Sequence, residues 1–255
     1  MSILVEQRGA VRIVTIDRPE RRNALDLAAM SAIGRIFTEA IDDDSVACLV
    51  LTGSGDKAFS AGMDLKAFAA GEPSMPQDGS PGLEVLLSNE YPKPIVGAAN
   101  GTALAGGFEL LLCCDLVVAA EGAEFGIPEA TRGLVAAGGG VLLLPQRIPL
   151  AIAMELGLTG ARISAERAHE LGLVNRVVPA DQVLDSALEL ADAVAASAPL
   201  AVRFTKEHMR DAAHSGNEDG RRRFSDEVAA IFASEDAKEG ATAFAERRPP
   251  VWKGR

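Results

Sequence analysis

The chain has 255 residues and a net charge of −11, with 48% hydrophobic and 24% charged residues. That balance describes a soluble globular protein able to bury a sizeable core. The acidic excess argues against nucleic acid or an anionic membrane as the main partner, yet it allows an anionic small molecule held by a few local cations.

Ile3–Val5 and Val11–Asp17 alternate around Arg8-Gly9 and read as a β-hairpin. Asp26 caps a predicted helix whose apolar positions are Leu27, Met30, Ile33, Phe37 and Ile41, ended by the acidic turn Asp42–Asp44. Val46–Thr52 reads as a buried strand. Gly71–Gly82, rich in Gly, Pro and Ser, reads as a mobile loop before a helix over Leu83–Asn89. Ile95–Ala99 and Leu116–Ala120 are further buried strands, flanking the Gly106-Gly107 turn and a short helix. A helix capped by Ser164 and stopped at Gly172 precedes a strand at Val174–Val178. Helices follow over Asp181–Ser197, Pro199–His214, Asn217–Ala233 and Glu235–Glu246. Strands alternating with helices indicate an α/β core. The helical last fifth cannot bury its apolar faces alone, so it must dock on the core or on another subunit.

The three cysteines, Cys48, Cys113 and Cys114, lack any metal-ligand or Cys-x-x-Cys spacing and read as buried apolar residues in a reducing compartment. The start has no basic region followed by an apolar run, and the apolar region Pro94–Ala120 is broken by Glu109 and Asp115. A cytoplasmic protein with no membrane span and no metal is expected.

Three turns carry candidate chemistry. In Ala58–Leu65, the small residues Ser60-Ala61-Gly62 let a ligand approach the main chain, so the Ala61 N–H can point at an oxygen, and Asp64 and Leu65 open a short helix. Gly106-Gly107-Phe108-Glu109 opens an apolar helix whose first N–H groups have no internal partner and favour negative charge. The Gly106 N–H can therefore join that of Ala61 in an oxyanion hole. Glu109 on that first turn can simply complement the helix dipole. The flanking Leu110, Leu111, Leu112 and Cys113 suggest burial instead, where a lone carboxylate is costly. Glu129 follows Pro128, an ordinary helix start taken alone. Two carboxylates beside an oxyanion hole can hold a water and share acid and base duties. Gly53–Lys57 lacks a phosphate-loop spacing, Ser60 lies in no nucleophile elbow, and His169, His208 and His214 sit in helical, polar contexts. Gly138-Gly139-Gly140 reads as a close-packing segment.

In combination these residues resemble the crotonase, or enoyl-CoA hydratase/isomerase, superfamily. The resemblance runs through Asp17–Leu25, Ala58–Lys66, Asn100–Asp115, Phe125–Glu129, Leu171–Val178 and the tail Phe244–Lys253. It implies a right-handed spiral of ββα turns over residues 1–198 and a helical trimerisation region over 199–255, in trimers often paired as hexamers. It implies a coenzyme A thioester as substrate, with no separate cofactor. Glu109 and Glu129 match the two catalytic glutamates of the hydratases, and Ala61 and Gly106 the oxyanion donors. Arg21, Arg22, Lys66 and Lys253 are the expected partners of the CoA phosphates and adenine, and Ala24, Ser60, Gly62, Asp64, Leu65 and Gly107 the other substrate contacts. The chain departs from the typical hydratase after Glu129. Leu134–Val141 reads Leu-Val-Ala-Ala-Gly-Gly-Gly-Val where Pro-Gly-x-Gly-Gly-Thr is usual, resembling subgroups acting on carnitinyl-type or bulky side-chain acyl-CoAs. The expected activity is 2-enoyl-CoA hydration. A double-bond isomerase, a carnitinyl-CoA-type dehydratase and a non-catalytic acyl-CoA-binding protein are the alternatives.

Overall fold

The computed structural model describes residues 2–73, 76, 79–87, 90–214, 228 and 230–255, with backbone alone at 214, 244 and 245. Strands β1 (Ile3–Arg8) and β2 (Val11–Ile16) form the expected antiparallel hairpin, turning at Gly9 with φ 57°. β2 then starts a parallel run through β3 (Cys48–Gly53), β5 (Ile95–Ala99), β7 (Leu116–Ala120) and β10 (Arg176–Val178). β3 and β5 are buried along their whole length, which suits continuous apolar runs covered on both faces.

A second, smaller sheet alternates with the first. β4 (Ala58–Ser60), β6 (Thr102–Leu104) and β8 (Glu124–Gly126) run parallel, and β9 (Ile163–Ser164) adds antiparallel to β8. The chain visits the large sheet at β3, β5 and β7, crosses each time to the small one at β4, β6 and β8, and returns through helical segments. This is the α/β arrangement of repeated ββα turns. The strands of the small sheet carry no legible signal in the sequence, because three residues are too few to show a period of two.

Helix α1 (Leu27–Ile41) begins where expected: Asp26 Oδ1 accepts from the Ala29 N–H at 2.9 Å. Its Ile33 and Phe37 are fully buried, and Phe37 meets Tyr91 edge-on at 5.4 Å while the Tyr91 hydroxyl donates to the Phe37 carbonyl. Each such side chain contributes roughly 1.5–3 kcal/mol by leaving water. Short helices α2 (Leu65–Ala69) and α3 (Glu84–Leu87) follow. Positions 88 and 89 of the expected Leu83–Asn89 helix lie outside the described residues, as do four positions of the Gly71–Gly82 loop. Helix α4 (Gly106–Cys113) is buried almost throughout, and its Phe108 stacks on Phe125 of β8 at 5.5 Å. Helices α5 (Gly140–Arg147), α6 (Leu150–Thr159), α7 (Ala165–Glu170, capped by Ser164) and α8 (Val183–Ala195) complete the core, and α8 lies across β3, β5 and β7.

Beyond α8, helix α9 (Pro199–His214) docks on this core through charge. Asp115 accepts from Lys206 Nζ at 2.8 Å, from Arg210 Nη2 at 2.9 Å and from the Ile95 N–H at 2.8 Å. Lys206 also reaches the Lys93 carbonyl at 2.7 Å. The helix expected over Asn217–Ala233 lies largely outside the described residues. The helix Glu235–Glu246 carries the tail on its surface, with Lys253 Nζ paired to Glu235 at 2.9 Å. The three cysteines are free and buried. Among the described residues, no helix is long and apolar enough to cross a membrane.

Asn23 ties the N-terminal segment to this frame. It is fully buried with φ 54°. Its Oδ1 accepts from the Arg18 N–H at 2.9 Å, and its Nδ2 donates to the carbonyls of Ser54 (2.9 Å) and Ala58 (2.7 Å). A carboxylate cannot donate to those carbonyls. Asn23→Asp is expected to lower unfolding free energy by roughly 3–5 kcal/mol, as seen by urea titration at neutral pH. A loss below about 1 kcal/mol would show that the segment is held by other means.

Candidate active site

The three parallel strands of the small sheet end on the same side, and each delivers one turn of the site. After β4 come Ala61-Gly62-Met63, after β6 come Ala105-Gly106, and after β8 come Ile127-Pro128-Glu129. Ligands in parallel α/β sheets bind at the carboxyl ends of strands for this reason. The turns line one cavity of about 1320 Å³.

Gly62 has φ 80°, and a Cβ there would lie 2.7 Å from the Gly106 nitrogen, so only glycine lets the first two turns come this close. A Cβ on Gly106 would in turn lie 3.8 Å from the Met63 nitrogen. Ala105, at φ 51°, holds a conformation rare outside glycine, and its carbonyl accepts from the Phe108 and Glu109 N–H groups to open α4. Among the described residues, neither the Gly106 nor the Met63 N–H makes a hydrogen bond. Both residues line the cavity.

The Ala61 N–H is not available for an oxyanion. It donates to the Arg22 carbonyl at 3.0 Å, because residues 22–25 run alongside 61–64. The same pairing joins the Leu25 N–H to the Gly62 carbonyl and the Asp64 N–H to the Leu25 carbonyl, both at 2.8 Å. The free donor of that turn is Met63, two residues on. Spacing shows a small-residue turn but not which N–H is taken by a segment forty residues away.

Glu109 is 4% exposed. Burial pushes its carboxyl up to about 7, with the neighbouring Glu129 charge adding to the rise and the Gly140 and Gly138 N–H groups opposing it. Gly140 N donates to Glu109 Oε1 at 2.8 Å. A Cβ on Gly138 would sit 2.7 Å from Glu109 Oε2. The Gly138-Gly139-Gly140 segment is therefore a close-packing segment, as expected, but what it packs against is this carboxylate. The sequence does not reveal that partnership; its only signal is a run of glycines with no phosphate-loop context.

Glu129 is the second residue of the 3-10 turn Pro128–Arg132. Burial raises its carboxyl above the usual range, although Arg132 opposes the shift. Its Oε2 is buried and has no hydrogen-bond partner among the described residues.

Of the other expected site residues, Arg21, Arg22, Ala24, Asp64, Leu65 and Lys66 line the cavity with Ala61. Asp64 also caps α2 through the Lys66 and Ala67 N–H groups and lies 3.4 Å from Arg18. Burial acts to raise its carboxyl, but these hydrogen bonds and the charges of Arg18 and Arg21 hold it below the usual range. Ser60, Gly62 and Gly107 lie behind the cavity wall rather than on it. Ser60 Oγ donates to the Asn23 carbonyl at 2.8 Å and accepts from the Gly62 N–H at 3.1 Å. A Cβ on Gly107 would meet the Ser60 carbonyl at 2.2 Å, so Gly107 is a packing residue. Lys253 does not line the cavity; it is held on the C-terminal helix by Glu235 and Asp236.

Comparison with known proteins places this geometry. The enoyl-CoA hydratase/isomerase family matches residues 6–255. A carnitinyl-CoA dehydratase of Salmonella enteritidis is 44% identical, with 100% of this chain and 99% of that protein aligned. The crystal structure of an enoyl-CoA hydratase from Mycobacterium tuberculosis superposes with a TM-score of 0.93 at 46% identity, covering 100% of this chain and 99% of the other. A carnitinyl-CoA hydratase from Mycobacterium avium superposes with a TM-score of 0.77 at 42% identity, covering 100% and 99%. With its whole length matched and its ββα turns in place, the chain belongs to the enoyl-CoA hydratase/isomerase family, within the crotonase superfamily.

Proposed function

We propose that this chain is a 2-enoyl-CoA hydratase, adding water reversibly across the 2,3 double bond of a coenzyme A thioester. The observation that carries the reading is the pairing of two carboxyl groups of raised pKa with two unbonded N–H groups in one cavity.

The thioester oxygen accepts from the Met63 and Gly106 N–H groups. This draws electron density from the double bond and makes Cβ electrophilic. Glu109, ionised, takes a proton from water as the oxygen attacks Cβ. The resulting enolate keeps its charge on the oxygen held by the two donors, which lowers the main barrier. Glu129, protonated, then delivers its proton to Cα, so one water is added and no charge is left over. Burial raises the proton affinity of both carboxyls, and the Glu129 charge adds to the rise at Glu109. The steps start from the pair carrying a single proton. Run backwards, the same groups dehydrate a 3-hydroxyacyl-CoA. The relative named a carnitinyl-CoA dehydratase favours that direction as a second reading. Arg21, Arg22 and Lys66 bind the CoA phosphates. Self-association is proposed on separate ground: Val141, Leu142, Leu150, Met154 and Leu158 of the neighbouring helices α5 and α6 are all exposed, and exposed apolar surface of this kind marks protein contacts.

Three outcomes test the assignment. Glu109→Gln and Glu129→Gln should each cut turnover of crotonyl-CoA by roughly 10²–10⁴ while CoA-ester binding survives, followed by loss of the conjugated-thioester absorbance. Near-normal turnover in either variant would sink the acid and base roles of the two glutamates. Gly138→Ala should push the Glu109 carboxylate aside and lower kcat on the order of tenfold or more with little change in thermal stability. Unchanged kcat would mean that the segment does not position Glu109.

The third outcome concerns pH. The folded Glu109 carboxyl holds its proton more tightly than an unfolded one, at about 7 against 4.5. Between those values the native state carries more protons, so stability falls as pH rises through that window and stays low above it. Glu109→Gln removes that dependence, and should gain roughly 3 kcal/mol over wild type at about pH 8 relative to about pH 4. Denaturant titrations at the two pH values measure it, and an equal difference at both would contradict the buried charge.

A further inference from the structure

Basic side chains line the cavity in two places. Arg21, Arg22 and Lys66 enter from the segment before α1 and from α2. Arg132 and Arg162 line the same cavity from the wall that carries Glu129. Arg132 closes the 3-10 turn that begins at Pro128. Arg162 follows the turn at Gly160, which is packed on that same segment: a Cβ on Gly160 would lie 2.6 Å from Thr131 Cγ2 and 3.2 Å from Pro128 Cα. Arg162 Cγ also lies 3.5 Å from where a Cβ on Gly126 would be. Both arginines thus rise from one wall beside Glu129.

Their partners differ. Arg162 donates through Nη1 to Glu124 at 3.0 Å. Arg132 makes no hydrogen bond or ion pair among the described residues. Its charge nevertheless reaches Glu129, while Asp64 on the other wall responds to Arg18 and Arg21. The two cationic groups are therefore separate, one beside the turn before α2 and one beside the reacting carboxyls. Both arginines are exposed to solvent, so water serves the Arg132 guanidinium in the free protein, and a carboxylate that arrives with a ligand can take the place of that water because the planar fork suits it.

We propose that Arg132, with Arg162 beside it, binds a carboxylate at the far end of the acyl chain, so that the preferred substrate is the CoA thioester of an unsaturated dicarboxylic acid. This rests on the hydratase reading above and names its substrate class. The same guanidinium disfavours a chain ending in a quaternary ammonium, so this chain and its carnitinyl-named relatives differ in the charge they accept.

The test is a comparison of kcat/KM for three 2-enoyl-CoA thioesters of similar length, ending in methyl, carboxylate or trimethylammonium. The wild type should prefer carboxylate over methyl by roughly tenfold to a hundredfold, and methyl over ammonium. Arg132→Gln should lower the carboxylate-to-methyl ratio by about tenfold or more, and Arg132→Glu should turn the order toward the ammonium. Added salt should raise KM for the carboxylate substrate more than for the methyl one in the wild type, a readout that needs no variant. A wild-type ratio near one, a ratio that survives Arg132→Gln, or an equal loss with all three substrates overturns the proposal. Hydration of the methyl substrate without charge preference leaves the hydratase reading standing and removes only this one. If none of the three is hydrated, both fall.

Discussion

Three short parallel strands hold everything else in place. β4, β6 and β8 contribute only three residues each, yet their common direction sends the turns after them to one side. Had one strand run the other way, its turn would sit at the opposite end of the sheet. Such strands are too short to be stable alone. They persist because each continues from a strand of the larger sheet, whose buried apolar faces supply the stability.

Close approach of backbones is the second condition, and glycine provides it. Gly62 admits the Gly106 nitrogen, Gly107 admits the Ser60 carbonyl, and Gly138 admits the Glu109 carboxylate. In each case the smallest methyl group would collide with an atom of the site or of its support. The glycines are expensive in chain entropy, and Ala105 adds strain of roughly 1–3 kcal/mol. The larger sheet and its helices offset those costs.

The electrostatics follow from the same packing. Glu109 sits among leucines and a cysteine of α4 and receives only backbone donors, so burial dominates and its proton affinity rises. Asp64, also well buried, has its own N-cap hydrogen bonds and two arginines nearby, and its proton affinity falls. Two carboxyls in one cavity thus shift in opposite directions for reasons that can be read from their neighbours. The ionic tether of α9, by contrast, lies away from the cavity and serves docking.

Much of this was legible in the chain itself. The hairpin at Gly9, the Asp26 cap and its helix, the strands Ile95–Ala99 and Leu116–Ala120, and the helix Pro199–His214 follow from local periodicity and capping, which act within a few residues. So do the two glutamates and the Gly106 turn, because each depends on its own short motif. Tertiary structure alone decided that Arg22 occupies the Ala61 N–H and leaves that of Met63 free, that Ser60 and Gly107 support the wall instead of lining it, and that the triple glycine cradles Glu109. Those outcomes depend on which distant segment fills a given hydrogen bond or space. A local pattern shows that a donor exists; only the folded chain shows whether it is already taken.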